Sequence, residues 1–242
     1  MHRFFLSPDA WQEGLLDGAE ARHLSQVLRI RSGQSITVFD GCGRRATAEV
    51  LTVARDRVTL QLSDAQIGPA AQPAIILAQA IPKGKHMDLI VQKAVELGIT
   101  AIQPLVTCHT VVHPGDAKSD KWRRNILEAC KQCGQDRLPV IAEPLPFKEW
   151  IGTQTNNSDS LKLIASLAPG ARPLREVLRA HPGTGSVTLL VGPEGDFSPG
   201  ETQAALETGF LPVSLGSIVL RVETAALFCL SALRYEFGGP GD

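Results

Sequence analysis

The sequence predicts an α/β protein in two parts: a small β-rich domain over residues 1–70 and a parallel-sheet domain over residues 73–242. Three observations carry this. SDAQIGPAAQP, from Ser63 to Pro73, holds two prolines, a glycine and small residues, the composition of a linker. Before it, short β-like runs are divided by turn residues. After it, apolar runs of strand length alternate with segments of helical period, and continuously apolar strands belong to parallel sheets covered on both faces.

Taken in order, Ala19 to Arg29 places Leu24, Val27 and Leu28 on one helical face. ITVFDGCGRRATAEVLTVARDRVTLQL reads as three strands, with turns at Asp40-Gly41-Cys42-Gly43 and Arg55-Asp56. One helix and three strands suit a small barrel. Past the linker, PAIILAQAI is a strand. Lys85 to Leu97 then sets Met87, Ile90, Val91, Ala94 and Val95 at helical spacing, and Gly98 supplies the stop. AIQPLV is a strand, and Lys121 to Cys133 a helix with Trp122, Ile126, Leu127 and Cys130 on one face. LPVIAEP, LKLIASL and SVTLLVG are further strands. Phe147 to Ile151 and Arg172 to Ala180 are helices, the second with Pro173 at its start. TQTNNSDS, Thr153 to Ser160, is a surface loop.

Composition narrows the function. Hydrophobic content of 43% and charged content of 20% suit a globular protein with a full core. No apolar run approaches the about 18 residues of a membrane span, and MHRFFLSPDAW does not read as a secretory signal. A cytoplasmic protein is expected. Five cysteines, an odd number without a framework of spacings, point to free thiols. The net charge of -1 argues against a generally basic surface. Yet between Arg22 and Arg57 seven arginines stand against three acids, and between Lys83 and Arg137 nine bases against six. Either these are scattered solvated charges or they form an RNA-facing side.

The chemistry concentrates near the carboxyl end. LLVGPEGDFSPGE runs from strand to helix: Ser198, Pro199 and Glu201 fit a capping box, so Gly192 to Phe197 is a strand-to-helix loop. Parallel sheets bind ligands beyond the carboxyl ends of their strands. Neither GxxxxGK[ST] nor GxGxxG occurs. Glu194 and Asp196 would each repel a phosphate, by about 1 kcal/mol per contact in water. An adenosine-like ligand without negative charge fits better, and S-adenosylmethionine is one. A tight connection whose glycines only relieve strain stays equally open. PVSLGSIVLRVETAAL begins as a strand and ends as a helix that Thr224 or Glu223 is expected to cap. Its middle, Leu215 to Arg221, is an apolar loop, more easily explained as a pocket wall for a flat ring than as exposed surface. Continuation of the core through Ile218 to Leu220 is the alternative.

GPEGDFSPGE followed by LGSIVLRVETAAL resembles the SPOUT-class RNA methyltransferases and, more narrowly, the bacterial RsmE family, which methylates N3 of a uridine in 16S rRNA of the small ribosomal subunit. RHLSQVLRIRSGQSITVFDGCG, PKGKHMDLIVQKAVELGITAIQPL and KWRRNILEACKQCGQDRLPVI resemble other parts of that family in the same order. Asp196 stands where a third glycine is usual, Val222 where threonine is, and Thr107-Cys108-His109-Thr110 replaces a serine-rich strand end. The resemblance implies a PUA-like β-barrel for RNA docking, an α/β domain with a trefoil knot, S-adenosylmethionine in the knot, and a homodimer. A ribose 2′-O-methyltransferase, or an RNA-binding assembly factor without turnover, remains the alternative.

Methylation of uracil N3 needs a proton acceptor, an in-line approach, and a positive donor for charge spread over two carbonyl oxygens. Arg221 is the candidate donor, because its planar fork matches such oxygens; a salt bridge to Glu223 or Glu194 is its other role. Glu194 is a candidate to take the proton or hold the cofactor's cationic end, or else to cap backbone N–H groups. Glu223 is a further candidate base, or simply a helix-start acid. The expected cofactor residues are Leu167, Gly192, Pro193, Glu194 and Gly195, then Leu215, Gly216, Leu220, Arg221, Thr224 and Ala225. Lys83 and Lys85, on a flexible turn, are expected to meet RNA phosphates, with Arg123, Arg124 and Arg137 as further contacts. Arg22, Arg29, Arg31, Arg44 and Arg45 would add contacts from the barrel. Cys130 and Cys133 with Cys108, His109 or His113 could supply a zinc site, but free thiols are the expectation and no metal is required.

Overall fold

A computed structural model describes residues 2–111, 116–155, 157 and 159–238. It divides into two compact units, Met1–Ala70 with Leu127–Leu138, and Ala71–Ile126 with Pro139–Asp242.

The first unit is built from β1 (Arg3–Phe5), α1 (Pro8–Glu13), β2 (Leu15–Asp17), α2 (Gly18–Arg22), β3 (Ser35–Phe39), β4 (Arg44–Val53), β5 (Arg57–Leu62) and β6 (Gln66–Ile67). The sheet order is β1-β3-β4-β5-β2, with β6 on β4. Only the β1–β3 pair is parallel. On β4, buried Ala46, Ala48 and Val50 alternate with exposed neighbours, the period of a half-buried strand. A register shift between Val50 and Thr52 bends the sheet into a curl around Phe4, Leu16, Leu24, Ile36 and Val58. The β3–β4 turn is organised by Asp40. The N–H groups of Cys42 and Arg44 donate to its Oδ1 at 2.7 and 3.0 Å, and Arg44 Nε to its Oδ2 at 2.6 Å.

Two features depart from the sequence pattern. The helix expected over Ala19 to Arg29 is α2 followed by a π-helical turn, His23–Val27. There Leu28 N donates to His23 O, five residues back. That wider turn rotates the chain out of the assumed spacing, so Leu24 is fully buried while Val27 is 67% exposed. Before it, α1 was not expected, although Ser7 caps it by accepting from Ala10 N and Pro8 opens it.

The second unit contains β7 (Ala74–Ala80), α3 (His86–Glu96), β8 (Ala101–Val106), α4 (Asp116–Cys133), β9 (Val140–Ile141), β10 (Leu145–Pro146), α5 (Phe147–Gly152), β11 (Ser160–Ala165), β12 (Arg172–Pro173), α6 (Leu174–Arg179), β13 (Ser186–Val191), α7 (Pro199–Glu207), β14 (Leu211–Ser214) and α8 (Val222–Phe237). The end of α4, from Leu127, groups with the first unit. The sheet order is β10-β8-β7-β13-β11-β14-β12, with β9 on β8, and every pair is parallel. Alternate residues face opposite layers. Ala78, Ile164 and Leu190 pack with Phe147, Trp150, Phe197 and Phe210 of the α5–α7 side, whereas Leu77, Leu163 and Leu189 are buried one residue out of phase. On α3 all five periodic residues, Met87, Ile90, Val91, Ala94 and Val95, are buried.

Three boundaries differ from expectation. Pro173 does not open α6. It pairs with Ser214 as part of β12 and serves as the helix N-cap. Only Val140–Ile141 of LPVIAEP forms a strand, because Pro139 and Pro144 have no N–H to extend the ladder. Neither Thr224 nor Glu223 caps α8. The N-cap is Arg221, in extended backbone and without a side-chain cap hydrogen bond.

Candidate active site

Four parallel strands deliver one cavity. Beyond β11 come Ser166 and Leu167, beyond β13 Gly192, Pro193, Glu194 and Asp196, and beyond β14 Leu215, Gly216 and Ile218 to Arg221, while His86 opens α3 after β7. With Val222, Glu223 and Ala225 of the first turn of α8, they enclose about 440 Å³. That lies within the roughly 300–1,000 Å³ of small-molecule sites.

The loop after β13 is held at both ends. Ser198 and Glu201 form a capping box: Glu201 N donates to Ser198 Oγ at 3.3 Å, and Ser198 N to Glu201 Oε2 at 2.9 Å. Glu201 Oε1 also accepts from Cys108 N at 2.8 Å. Glu194 Oε1 accepts from Lys83 N at 2.9 Å, and the Asp196 carbonyl lies 2.9 Å from His109 Nδ1. A side chain at Gly192 would meet Asp196 Oδ1 at 3.0 Å and the Phe197 ring at 3.2 Å. Asp196 has φ +58°, the left-handed region that favours glycine and that aspartate tolerates best among charged residues. Its Oδ1 accepts from Phe197 N at 2.8 Å, a local bond that glycine could not make.

The opposite wall is apolar. Ile218 and Val219 are 75% and 71% exposed, so the segment does not continue the core. Three carboxylates line the cavity, Glu194, Asp196 and Glu223, against one guanidinium, Arg221. Glu223 Oε2 lies 3.5 Å from His86 Nδ1. Arg221 is exposed, and among the described residues it forms no ion pair with Glu194 or Glu223. An apolar wall facing carboxylates fits a flat ring that ends in a cation. The residues present therefore suit S-adenosylmethionine.

Of the expected cofactor residues, Leu167, Gly192, Pro193 and Glu194 line the cavity, as do Leu215, Gly216, Leu220, Arg221 and Ala225. Gly195 and Thr224 do not. Gly195 backs onto His109, whose Cβ would sit 3.1 Å from an added methyl, and Thr224 is exposed outside the lining. Ile218 and Val219 line the cavity as part of the expected apolar wall, whereas His86 and Ser166 were not foreseen as lining residues. His86 follows the Lys83-Gly84-Lys85 turn after β7 and Ser166 follows β11, a strand parallel to β13, so strand-end position was the available signal.

The basic residues fall into two groups. Lys83, Lys85, Arg29 and Arg31 are exposed. Others are engaged within the protein. Arg137 donates to the carbonyls of Cys42 and Gly68 at 2.7 and 3.0 Å. Arg44 pairs with Asp40 and lies over Trp11, 5.1 Å from the ring centroid. Arg123 pairs with Glu143 and with Asp120, which together raise its pKa, the Glu143 hydrogen bond foremost. Arg22 and Arg124 donate to helix carbonyls at 3.2 and 3.3 Å, and Arg45 to Gln66. Even so engaged, the Arg44 and Arg123 side chains keep 36% and 47% of their surface exposed.

Among the described residues no group of three or more His, Cys, Asp or Glu could hold a metal ion; His113 lies outside them. Cys130 is buried and its thiol is pushed up to about 12, mainly by desolvation. No described helix is long and apolar enough to cross a membrane.

The RNA methyltransferase domain family matches residues 70–234, and the RNA methyltransferase PUA domain family residues 16–63. Ribosomal RNA small subunit methyltransferase E of Synechocystis is 30% identical, over 96% of this chain and 77% of that protein. The Mycobacterium bovis protein of the same name is also 30% identical, over 93% and 87%. Among solved structures, ribosomal RNA small subunit methyltransferase E of Neisseria gonorrhoeae, bound to S-adenosyl methionine, superposes with a TM-score of 0.86 at 33% identity over 98% of both chains. A Legionella pneumophila methyltransferase with bound SAM gives the same score and identity over 99% of both. The PUA match falls on the first unit's curled sheet and the RNA methyltransferase match covers the second unit's parallel sheet, and the chain belongs to the ribosomal RNA small subunit methyltransferase E family.

Proposed function

We propose that the protein methylates N3 of a uridine in 16S rRNA of the small ribosomal subunit, with S-adenosylmethionine as donor. One observation carries the reading: an apolar segment, Leu215 to Leu220, with Ile218 and Val219 exposed, lines together with three carboxylates a cavity at the sheet's ligand-binding edge. The likeness to two solved methyltransferases that hold SAM supports it. When bound, the cofactor supplies an electrophilic methyl on a sulfonium.

The chain's own residues do the rest. Leu215, Leu220 and Ile218 shield a ring from water, and Gly192 to Glu194 present main-chain groups without side-chain obstruction. The acidic lining attracts a cation and disfavours phosphate. Arg221, free of Glu194 and Glu223, is the donor toward the uracil carbonyls. Glu194 is committed through one oxygen to Lys83 N. Its role is to anchor the loop, beside the exposed Lys83 and Lys85, which meet RNA phosphates; on the first unit the exposed Arg29 and Arg31 do the same. The protein acts in the cytoplasm as a homodimer, for which the exposed Phe228 and Tyr235 of α8, 47% and 89% accessible, offer an apolar contact.

The test is transfer from radiolabelled S-adenosylmethionine to small subunits from cells lacking the activity. Label in a uracil base is expected. Label in ribose would reassign the reaction, and cofactor binding without label would make the protein an assembly factor.

A further inference from the structure

Removal of the N3 proton needs an acceptor, and the three carboxylates of the cavity are poorly suited to it. Glu194 Oε1 is occupied by Lys83 N, and Asp196 Oδ1 by Phe197 N. Glu223, in the first turn of α8, has its Oε2 3.5 Å from His86 Nδ1. A general base works best when its own affinity for a proton is matched to working pH, and imidazole is the side chain so matched.

One imidazole lines the cavity. His86, the first residue of α3, is 43% exposed by side chain, and its Nδ1 faces Glu223 Oε2 at 3.5 Å; Glu223 is 16% exposed. That leaves Nε2 as the nitrogen not directed at Glu223. The separation is longer than a formed hydrogen bond, as catalytic contacts often are before substrate arrives. The other charged groups near His86 are accounted for. Glu194, Asp196 and Arg221 line the same cavity, and Lys83 and Lys85 precede it. On its own helix Asp88 is held by Lys121 at 2.5 Å and Trp122 Nε1 at 3.1 Å.

We propose that His86 is the catalytic base that removes the N3 proton and that Glu223 is the positioning residue that fixes its ring. The inference rests on the methyl-transfer reading above. The proton passes from N3 to Nε2 of His86, the Nδ1 proton being held toward Glu223. The N3–carbon bond forms as the sulfur–methyl bond breaks, and the sulfur keeps that electron pair. The imidazolium then releases its proton to solvent.

The experiment compares wild type, His86→Gln, His86→Ala and Glu223→Gln. Single-turnover transfer into small subunits should fall by about 10²–10⁴-fold for His86→Gln, the usual contribution of general-base catalysis, with S-adenosylmethionine affinity by calorimetry within about threefold. Added imidazole should restore part of the His86→Ala rate. The acid limb of the wild-type kcat/KM profile should vanish in His86→Gln. A readout independent of turnover is the ¹⁵N spectrum of the cofactor-free protein. His86 should carry its proton on Nδ1 when neutral, and Glu223→Gln should abolish that preference. Wild-type rates in His86→Gln, failure of imidazole rescue, or cofactor affinity lost with His86 would each overturn the proposal. If a variant does not fold, the wild-type spectrum decides: a neutral His86 protonated on Nε2 overturns it. Label from wild type with an unchanged His86→Gln rate rejects the base alone. No label even from wild type rejects the methyl-transfer reading and the base with it.

Discussion

At Arg221 the backbone and the side chain have separate duties. The residue is the N-cap of α8 through its extended backbone, and its carbonyl accepts from Ala225 N at 2.8 Å. Arg221→Ala keeps both features. Turnover is therefore expected to fall by about 10²–10³-fold, the range for losing one oxyanion donor, with the melting temperature little changed. Equal rates in single-turnover assays would remove the guanidinium from the reaction. Asp40 sets an acid limit on the first unit. Burial alone would raise its pKa, but the hydrogen bond from Arg44 and the N–H groups of Cys42 and Arg44 outweigh it, and the net shift is downward. A depressed carboxylate stabilises the fold above its unfolded value, about 3.9. That stability is lost as pH falls below 3.9 through the folded value. Melting temperatures from pH 6 to 2.5 should show this loss in the wild type and a flatter curve in Asp40→Asn. The thiols divide by burial. Cys42, Cys108 and Cys133 are exposed, while Cys130 and Cys229 are buried and both pushed up to about 12 by desolvation. Ellman's reagent should titrate three of five thiols in the native protein and all five on unfolding. For His86 the sequence offered only its place after a strand end, not its partner. Its partner Glu223 lies on another helix, and only the sheet order brings the two together.

Among the elements, the start of α7 was readable to the residue, because a capping box is written in four consecutive positions. Ser198→Ala should cost about 1 kcal/mol. Glu201→Ala should cost more, since it also strands the N–H of Cys108; urea titration of both variants checks the order. The helix after Ala19 was misjudged because periodicity assumes 3.6 residues per turn, and a π turn is set by packing that no short window records. Similarly Pro173 carried a helix-start signal, but pairing with β14 captured it first.

For the whole molecule, the βα alternation that implies a parallel sheet was legible. The grouping of Leu127–Leu138 with the first unit was not, since it depends on long-range pairs such as Lys131 with Glu20 and Arg3 with Asp136, each at 2.7 Å. Self-association belongs to this scale too. If the proposed homodimer forms through α8, Tyr235→Glu, placing a charge at its most exposed aromatic, should shift sedimentation from dimer to monomer; a monomeric wild type overturns the proposal. The loop from Gly192 to Phe197 has a last consequence. Bonds from Lys83 N and Phe197 N and the close approach of His109 already fasten it without any ligand. It is preorganised, so donor capture should cost little ordering entropy there. Hydrogen exchange should be slow across that stretch in the free protein and barely change on saturation, while amides of Ser217 to Leu220, on the opposite rim, should slow markedly.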